Sequence, residues 1–179
     1  ELTKHKSQGF RAPTFSLNQS SSWAVDVLAE NNYVYDSSII PAKSNMYGSP
    51  NAEHSPYRIS SKCIEKNDSS GKLIEFPLLT TRFLGKKIPA AGGFYLRSLP
   101  TKVIKNAIKN YEKECMPATF YIHSWELTPE FMPRLNLPLK DKFVTYHNLG
   151  KAYSRMSELL KHFEFTSFGR YIAENEMMI

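Results

Sequence analysis

The stretch that decides the fold runs from Ala118 to Leu127 and reads Ala-Thr-Phe-Tyr-Ile-His-Ser-Trp-Glu-Leu. Its first five residues are rich in β-branched and aromatic side chains, which is typical of a short strand buried on both faces. This predicted strand leads directly into His123, and Trp125 and Glu126 follow. In α/β folds the reacting groups lie at the carboxyl ends of such strands, so His123 is a candidate catalytic residue. The alternative is a histidine that only satisfies local backbone groups.

The first forty residues predict a strand, a helix and a second strand. The strand covers Gly9–Ser16, the helix Trp23–Glu30 and the second strand Tyr33–Ile40. This order favours a parallel sheet and an α/β fold. Arg11 lies in the first strand, where a buried guanidinium would have to pair with a carboxylate, although a surface arginine is the alternative. Asp36 lies inside the second strand and needs a hydrogen-bonding partner, because a carboxylate buried without one is costly.

The remainder of the chain alternates loop-rich and periodic segments. The predicted elements, in order, are a strand at Tyr57–Ile59, a hairpin turn at Lys66–Gly71, extended segments at Leu73–Leu78 and Thr80–Leu84, a turn at Gly85–Lys87, helices at Lys102–Glu114 and Leu149–His162, a closing strand at Phe165–Phe168 and a terminal helix or tail at Arg170–Met178. The pair Gly92-Gly93 permits a positive φ or the close approach of a ligand, and a plain structural bend is the alternative.

Composition excludes several classes of protein. The chain has 179 residues and a formal net charge of +6, but its lysines and arginines are scattered. No nucleic-acid-binding module accompanies the charge, so no nucleic-acid partner is expected. Cys63 and Cys115 lack disulfide-framework or metal-ligand spacing, and neither a membrane-spanning apolar run nor a signal-peptide pattern occurs. We therefore expect a protein without a membrane span and a cytoplasmic location.

Four blocks of the sequence, taken together, resemble a known family. The blocks are Gly9-Phe10-Arg11-Ala12-Pro13-Thr14-Phe15-Ser16, Tyr35-Asp36-Ser37-Ser38-Ile39, Ala91-Gly92-Gly93-Phe94-Tyr95-Leu96-Arg97-Ser98-Leu99-Pro100 and Phe120-Tyr121-Ile122-His123-Ser124-Trp125-Glu126. Their content and order resemble polysaccharide deacetylases of the NodB-homology type, in the branch associated with exopolysaccharide gene clusters. The resemblance covers residues 9–165.

The resemblance implies a fold and a chemistry. The fold would be the C-terminal portion of a distorted (β/α)7 barrel whose first strands are missing. The activity would be the metal-dependent hydrolysis of N-acetyl groups on a polysaccharide or oligosaccharide. By resemblance His123 would be the general acid, Arg11 would pair with the base aspartate and Asp36 would orient the imidazole. A carboxylate beside His123 would raise its pKa and keep it a competent acid near neutral pH.

The resemblance also implies the substrate contacts and the cofactor. The predicted substrate-binding residues are Trp125, Glu126, Pro13, Tyr95 and Arg97. The complete enzyme would hold a divalent metal, zinc, through one aspartate and two histidines. The blocks that carry the metal and the base precede the Arg11 block by many residues in this family, and here only eight residues do. We therefore assign no metal ligands, and we expect this chain alone to hold no catalytic metal and to turn over no substrate.

By resemblance, residues 1–179 would form a single incomplete deacetylase-like domain, in which 166–179 form a C-terminal tail. Such a domain would leave open sheet edges, through which we expect self-association. Two other classes of function stay open. One is a non-catalytic carbohydrate-binding or scaffold module, and the other is a basic protein that binds an anionic polymer.

Overall fold

The computed structural model describes residues 6–43 and 48–175, which fall into two compact units. The first unit contains the described residues up to Leu78 and those from Thr166 onward. The second unit is the continuous segment Leu79–Phe165. The last residues of the predicted terminal helix, 176–178, lie outside the described part of the chain.

Six short strands and seven helices make up these units within the described ranges. The strands are β1 (Gly9–Phe10), β2 (Tyr35–Asp36), β3 (Tyr57–Ile59), β4 (Leu73–Glu75), β5 (Thr80–Phe83) and β6 (Lys86–Pro89). The helices are α1 (Trp23–Glu30), α2 (Gly93–Ser98), α3 (Thr101–Lys113), α4 (Ser124–Leu127), α5 (Leu139–Tyr146), α6 (Ala152–His162) and α7 (Phe168–Glu174). Turns of 3-10 helix lie at Pro13–Phe15, Gln19–Ser21, Pro129–Phe131 and Leu149–Lys151.

The first unit is built on a four-stranded sheet with the order β1-β2-β4-β3. The first three of these strands are parallel, and β3 runs antiparallel to β4. The strands β1 and β2, which α1 connects, pair in parallel. This pairing confirms the parallel sheet that the strand-helix-strand pattern predicted. The α/β class is therefore confirmed at the level of mixed helices and sheets, whereas the described strands form no closed barrel.

The two faces of β4 serve two separate cores, because successive side chains of a strand point to opposite faces. Leu73 belongs to a cluster that includes Val25 and Leu28 of α1. Ile74 belongs to a second cluster with Phe76 and Ile172 of α7. In this second cluster the rings of Phe76 and Phe168 stack with centroids 4.4 Å apart. The next residue along β4, Glu75, returns to the face that α1 covers.

The second unit consists of the β5–β6 hairpin and the helices α2 to α6. The helix α3 was predicted over Lys102–Glu114, and its apolar stripe is buried as expected, through Ile104, Ala107, Ile108 and Tyr111. The predicted helix at Leu149–His162 is also confirmed, as a 3-10 turn that continues into α6. Both α2 and α4 pack against α6.

Three predictions of secondary structure were wrong. The first strand spans only Gly9–Phe10, because Pro13 begins a 3-10 turn. The run Ala118–Ile122 is an extended segment that makes a single bridge at Thr119, whose carbonyl accepts the N–H of Leu79 at 3.0 Å. Of that run only Thr119 is buried, so the expected strand buried on both faces is absent.

The third wrong prediction is the closing strand at Phe165–Phe168. Ser167 instead accepts the N–H of Arg170 and caps the start of α7. The pair Gly92-Gly93 is a helix start, in which Gly92 has φ +93° and α2 begins at Gly93. The strand β1 lies at one edge of the four-stranded sheet, but it is only two residues long, and self-association through it stays a prediction.

The tip of the β5–β6 hairpin carries an unusual residue. The two-residue loop consists of Leu84 at φ +49° and Gly85 at φ +76°. Two-residue hairpin loops with a positive φ at both positions favour Asn-Gly, because a branched or bulky residue is strained there. Leu84 is also 86% exposed, so its side chain gains little from packing.

We predict that Leu84→Asn stabilises the protein by about 1 kcal/mol, since asparagine tolerates the left-handed conformation. Urea unfolding of both proteins at neutral pH measures the difference. Leu84→Ala is the matched control, because alanine shortens the side chain but lacks the polar group with which asparagine stabilises the left-handed conformation. A Leu84→Asn protein that is no more stable than Leu84→Ala contradicts the prediction.

Candidate functional site

Two carboxyl groups lie side by side inside the first unit. Asp36 and Glu75 are paired across the parallel strands β2 and β4, which places both side chains on the same face of the sheet. The two residues are 1% and 0% exposed. Water therefore solvates neither carboxyl group, and each must find its hydrogen bonds inside the protein.

Backbone and hydroxyl donors satisfy part of this need. Glu75 Oε1 accepts the N–H of Ile39 at 2.9 Å, and Oε2 accepts the N–H of Ser38 at 3.5 Å. Asp36 Oδ1 accepts the hydroxyl of Ser38 at 2.7 Å. Asp36 Oδ2 is buried and receives no N–H or hydroxyl donor from the described residues. This oxygen is satisfied if the neighbouring carboxyl of Glu75 carries a proton and donates it.

Burial and mutual repulsion hold a proton on this pair. Burial raises the pKa of Glu75 well above its ordinary value, and the charge of Asp36 raises it further. Burial also raises the pKa of Asp36, but the hydrogen bond from Glu75 and the charge of Arg11 oppose that rise. Both carboxyl groups therefore favour the protonated form, and the pKa of Glu75 is the more strongly raised of the two.

Arg11 lies in the same unit and is held by the residue that follows Asp36. Its Nε donates to the carbonyl of Ser37 at 2.7 Å, and its Nη2 donates to the Ser37 hydroxyl at 2.6 Å. The guanidinium also lies over the ring of Phe15, 5.7 Å from its centroid. Arg11 lies close enough to Asp36 for its charge to oppose the rise that burial causes in the pKa of that carboxyl. The predicted pairing of Arg11 with a base aspartate stays a prediction.

Pro13 begins the turn that follows Arg11 and is exposed. The two residues after it, Thr14 and Phe15, both have φ +56°. Two successive non-glycine residues in the left-handed region store strain of about 1–2 kcal/mol each. The contact of Phe15 with Arg11 and its own burial help to hold this turn in place.

His123 and Trp125 lie together in the second unit. The imidazole of His123 is exposed and stacks on the indole of Trp125, with centroids 5.6 Å apart and planes 12° apart. The ring of Tyr121 meets the imidazole edge-on at 5.5 Å. The segment thus presents a nearly parallel pair of rings, one of which can carry a proton.

Glu126 and Arg97 form the buried ion pair of the second unit. Arg97 Nη2 lies 2.9 Å from Glu126 Oε1, and both residues are 1% exposed. Arg97 also donates to the carbonyls of Gly93, Val144 and His147. Glu126 Oε2 accepts the backbone N–H of His123 at 3.2 Å, so Glu126 orients the start of α4. These contacts give Arg97 and Glu126 a role in packing, and their predicted contact with substrate stays a prediction.

The remaining candidate, Tyr95, is half-buried in α2, where its ring meets Phe94 edge-on at 5.5 Å. Of the predicted site residues, the first unit contains Arg11, Pro13 and Asp36. The second unit contains Tyr95, Arg97, His123, Trp125 and Glu126.

Sequence reasoning missed Glu75. The signal was a carboxylate inside the apolar run Leu73-Ile74-Glu75-Phe76, the same anomaly that drew attention to Asp36. Two acids inside predicted strands of one parallel sheet can only be tolerated as partners or as ligands of a cation. The residues that the structure describes contain no group of three or more histidine, cysteine, aspartate or glutamate side chains that could hold a metal ion.

The fold and the site define a mixed α/β protein with a buried carboxyl pair and an exposed histidine-tryptophan pair. A family model described as a domain of unknown function, DUF3473, matches residues 37–173, and the chain belongs to this family. No curated protein and no solved structure matches the chain. Among the described residues no helix is long and apolar enough to cross a membrane.

The proton on Glu75 makes stability depend on pH in a defined direction. A group whose pKa is raised by folding stabilises the protein most below its unfolded pKa, near 4.5, and this contribution is lost as pH rises toward the folded pKa. Glutamine is isosteric with protonated glutamate and cannot ionise. We predict that wild type loses stability relative to Glu75→Gln from about pH 5 upward, by up to about 1.4 kcal/mol per pH unit.

Urea unfolding of both proteins at pH 5, 6, 7 and 8 measures this difference. Glu30→Gln is the control, because Glu30 is exposed at the end of α1 and its replacement should leave the slope unchanged. A difference between wild type and Glu75→Gln that stays flat over this range would show that Glu75 is ionised in the folded protein.

Proposed function

We propose that this chain is part of an enzyme of the polysaccharide deacetylase type, which hydrolyses N-acetyl amide bonds on a glycan. We also propose that the fold is the C-terminal portion of a distorted (β/α)7 barrel. The observation that carries it is the exposed imidazole of His123 stacked on Trp125. An indole ring offers a flat apolar face for the C–H groups of a pyranose ring, and the adjacent imidazole offers a proton.

In this proposal His123 acts as the general acid. Amide hydrolysis passes through a tetrahedral intermediate, and its C–N bond breaks readily only when the nitrogen receives a proton. Protonated His123 would donate that proton to the leaving amine and become neutral. Stacking against Trp125 and the edge of Tyr121 restricts the rotation of the imidazole, so less freedom is lost when the substrate binds.

By resemblance, Arg11 and Asp36 belong to the charge-bearing part of the same enzyme. The contacts in the first unit support a refined view of Asp36. Asp36 Oδ1 accepts the Ser38 hydroxyl, and a proton shared with Glu75 would satisfy Oδ2, so we propose that Asp36 acts as a fixed carboxylate rather than as a proton carrier. A fixed carboxylate of this kind is suited to orienting a cationic partner.

A divalent metal, zinc, would polarise the acetamide carbonyl and the attacking water in the complete enzyme. The described residues do not fit such an ion, since they form no cluster of potential ligands.

A second candidate is a non-catalytic module that binds N-acetylated glycans through the same rings of Trp125 and His123. Both candidates require a glycan to contact Trp125. They differ over whether His123 transfers a proton, so one experiment addresses the shared requirement and a second separates the two.

The chain contains two tryptophans, Trp23 and Trp125, which makes glycan binding measurable by fluorescence. We predict that the tetramer of N-acetylglucosamine quenches the fluorescence of wild type and that Trp125→Ala weakens binding about tenfold or more, the loss of one aromatic contact. Trp23→Ala is the matched control, because Trp23 is 64% exposed on α1 in the other unit. Equal affinity in wild type and Trp125→Ala would show that the indole of Trp125 does not contact the glycan.

His123→Ala separates the enzyme from the module. In the protein with its complete reading frame, we predict a fall of about a hundredfold in kcat for acetate release from the same tetramer, while metal content stays unchanged. His123→Gln should fail to rescue the rate, because an amide is not a proton donor of suitable pKa. Acetate release at the wild-type rate would remove His123 from the acid role, and binding without any release in wild type would favour the module.

A further inference from the structure

We infer that Glu75 is a positioning residue for Arg11. Its carboxyl group accepts backbone hydrogen bonds from the turn that follows β2. Ser37 of that turn accepts hydrogen bonds from the guanidinium of Arg11. The inference rests on the proposed function only where it treats Arg11 as part of the site. The chain of contacts itself lies within the first unit and stands on geometry.

The first link joins Glu75 to Asp36. Asp36 Oδ2 is buried and lacks an N–H or hydroxyl donor among the described residues. Glu75 Oε1 is the better satisfied oxygen of its carboxyl group, since it accepts the N–H of Ile39 at 2.9 Å. Oε2 has its backbone donor, Ser38, at 3.5 Å and is the oxygen suited to carry the proton. A hydrogen bond from Glu75 Oε2 to Asp36 Oδ2 therefore satisfies both groups.

The second link joins Glu75 to the turn 36–39. The strands β2 and β4 are in register at Asp36 and Glu75, so the Glu75 side chain reaches just past the end of β2. There its two oxygens meet the successive N–H groups of Ser38 and Ile39. The backbone of the segment after β4 adds two anchors, from Phe76 N–H to Asp36 O at 2.9 Å and from Leu78 N–H to Ile39 O at 3.0 Å.

The third link joins the turn to Arg11. Ser37 accepts Nε of Arg11 at its carbonyl and Nη2 at its hydroxyl, and that hydroxyl in turn donates to the carbonyl of Phe76 at 2.8 Å. The hydroxyl of Ser38 accepts the N–H of Ala12, the neighbour of Arg11, at 2.8 Å. The side chain and the backbone at Arg11 are thus both tied to the turn that Glu75 holds.

The other ionisable groups near Glu75 do not make its hydrogen bonds to the turn 36–39. Tyr57 is its partner on β3, but the Tyr57 hydroxyl donates to the carbonyl of Ile64. Burial raises the pKa of Tyr57 and the neighbouring acid pair raises it further, so Tyr57 remains neutral. Cys63 lies near Tyr57. Arg11 is the cation that faces the pair, and it balances the single negative charge of Asp36.

The test follows the Nε–H of Arg11 by NMR hydrogen exchange in the 179-residue chain. In wild type this proton is bound to the Ser37 carbonyl and should exchange at least tenfold more slowly than the Nε–H of Arg82, which is exposed on β5. Glu75→Gln should keep the protection, because its amide donates to Asp36 and its oxygen accepts from Ile39. Glu75→Leu and Glu75→Asp should lose it, since leucine has no polar group and aspartate is one carbon too short.

Ile59→Ala controls for a general loss of stability, because Ile59 is fully buried in β3 and makes no polar contact with the turn. The inference is overturned if folded Glu75→Leu or Glu75→Asp retains the protection of Arg11, if Ile59→Ala loses it equally, or if Glu75→Gln loses it. Should Glu75→Leu fail to fold, Glu75→Asp decides the matter. The exchange measurement does not depend on catalysis, so a complete enzyme that releases no acetate would defeat the proposed function and leave this inference intact.

Discussion

The constraint on which the first unit depends is that two buried carboxyl groups must share one proton. A parallel sheet places Asp36 and Glu75 side by side, and full ionisation there would leave two unsolvated negative charges in contact. With one proton, the pair carries a single charge that the nearby Arg11 balances. The second unit also buries a carboxyl group, that of Glu126, and there the ion pair with Arg97 balances the charge. Three backbone carbonyls accept further hydrogen bonds from Arg97. Each unit is thus organised around a polar contact that admits few other arrangements.

Much of the secondary structure could be predicted from the sequence. The helix Trp23–Glu30 and the stripe of α3 follow from apolar periodicity, and the strand-helix-strand order predicted the parallel sheet. The failures lie where tertiary contacts override local preference. The residues 118–122 have strand composition, but they find only one bridging neighbour and therefore stay an extended segment. Strand propensity describes a residue's fit to a pleated surface, and here the surface is missing.

The candidate site could be predicted only in part. Sequence reasoning recognised that Asp36 needs a partner, but it could not identify Glu75. The partner is set by the register of β2 on β4, across a connection of more than thirty residues, and no local pattern encodes that register. Glu126 and Arg97 were likewise proposed as substrate contacts because each lies in a recognisable block. Their mutual ion pair became visible only when the fold placed them together.

Because α7 belongs to the first unit, the two units are fully translated at different times during protein synthesis. The α7 residues Phe168, Tyr171 and Ile172 complete the cluster around Phe76, so the first unit combines the described residues up to Leu78 with α7, which follows the second unit in the sequence. The second unit is one uninterrupted segment. On the ribosome the second unit can therefore finish folding while the first still exposes the apolar face of β4. That face is covered only after α7 has been translated, so the core of the first unit is completed after that of the second.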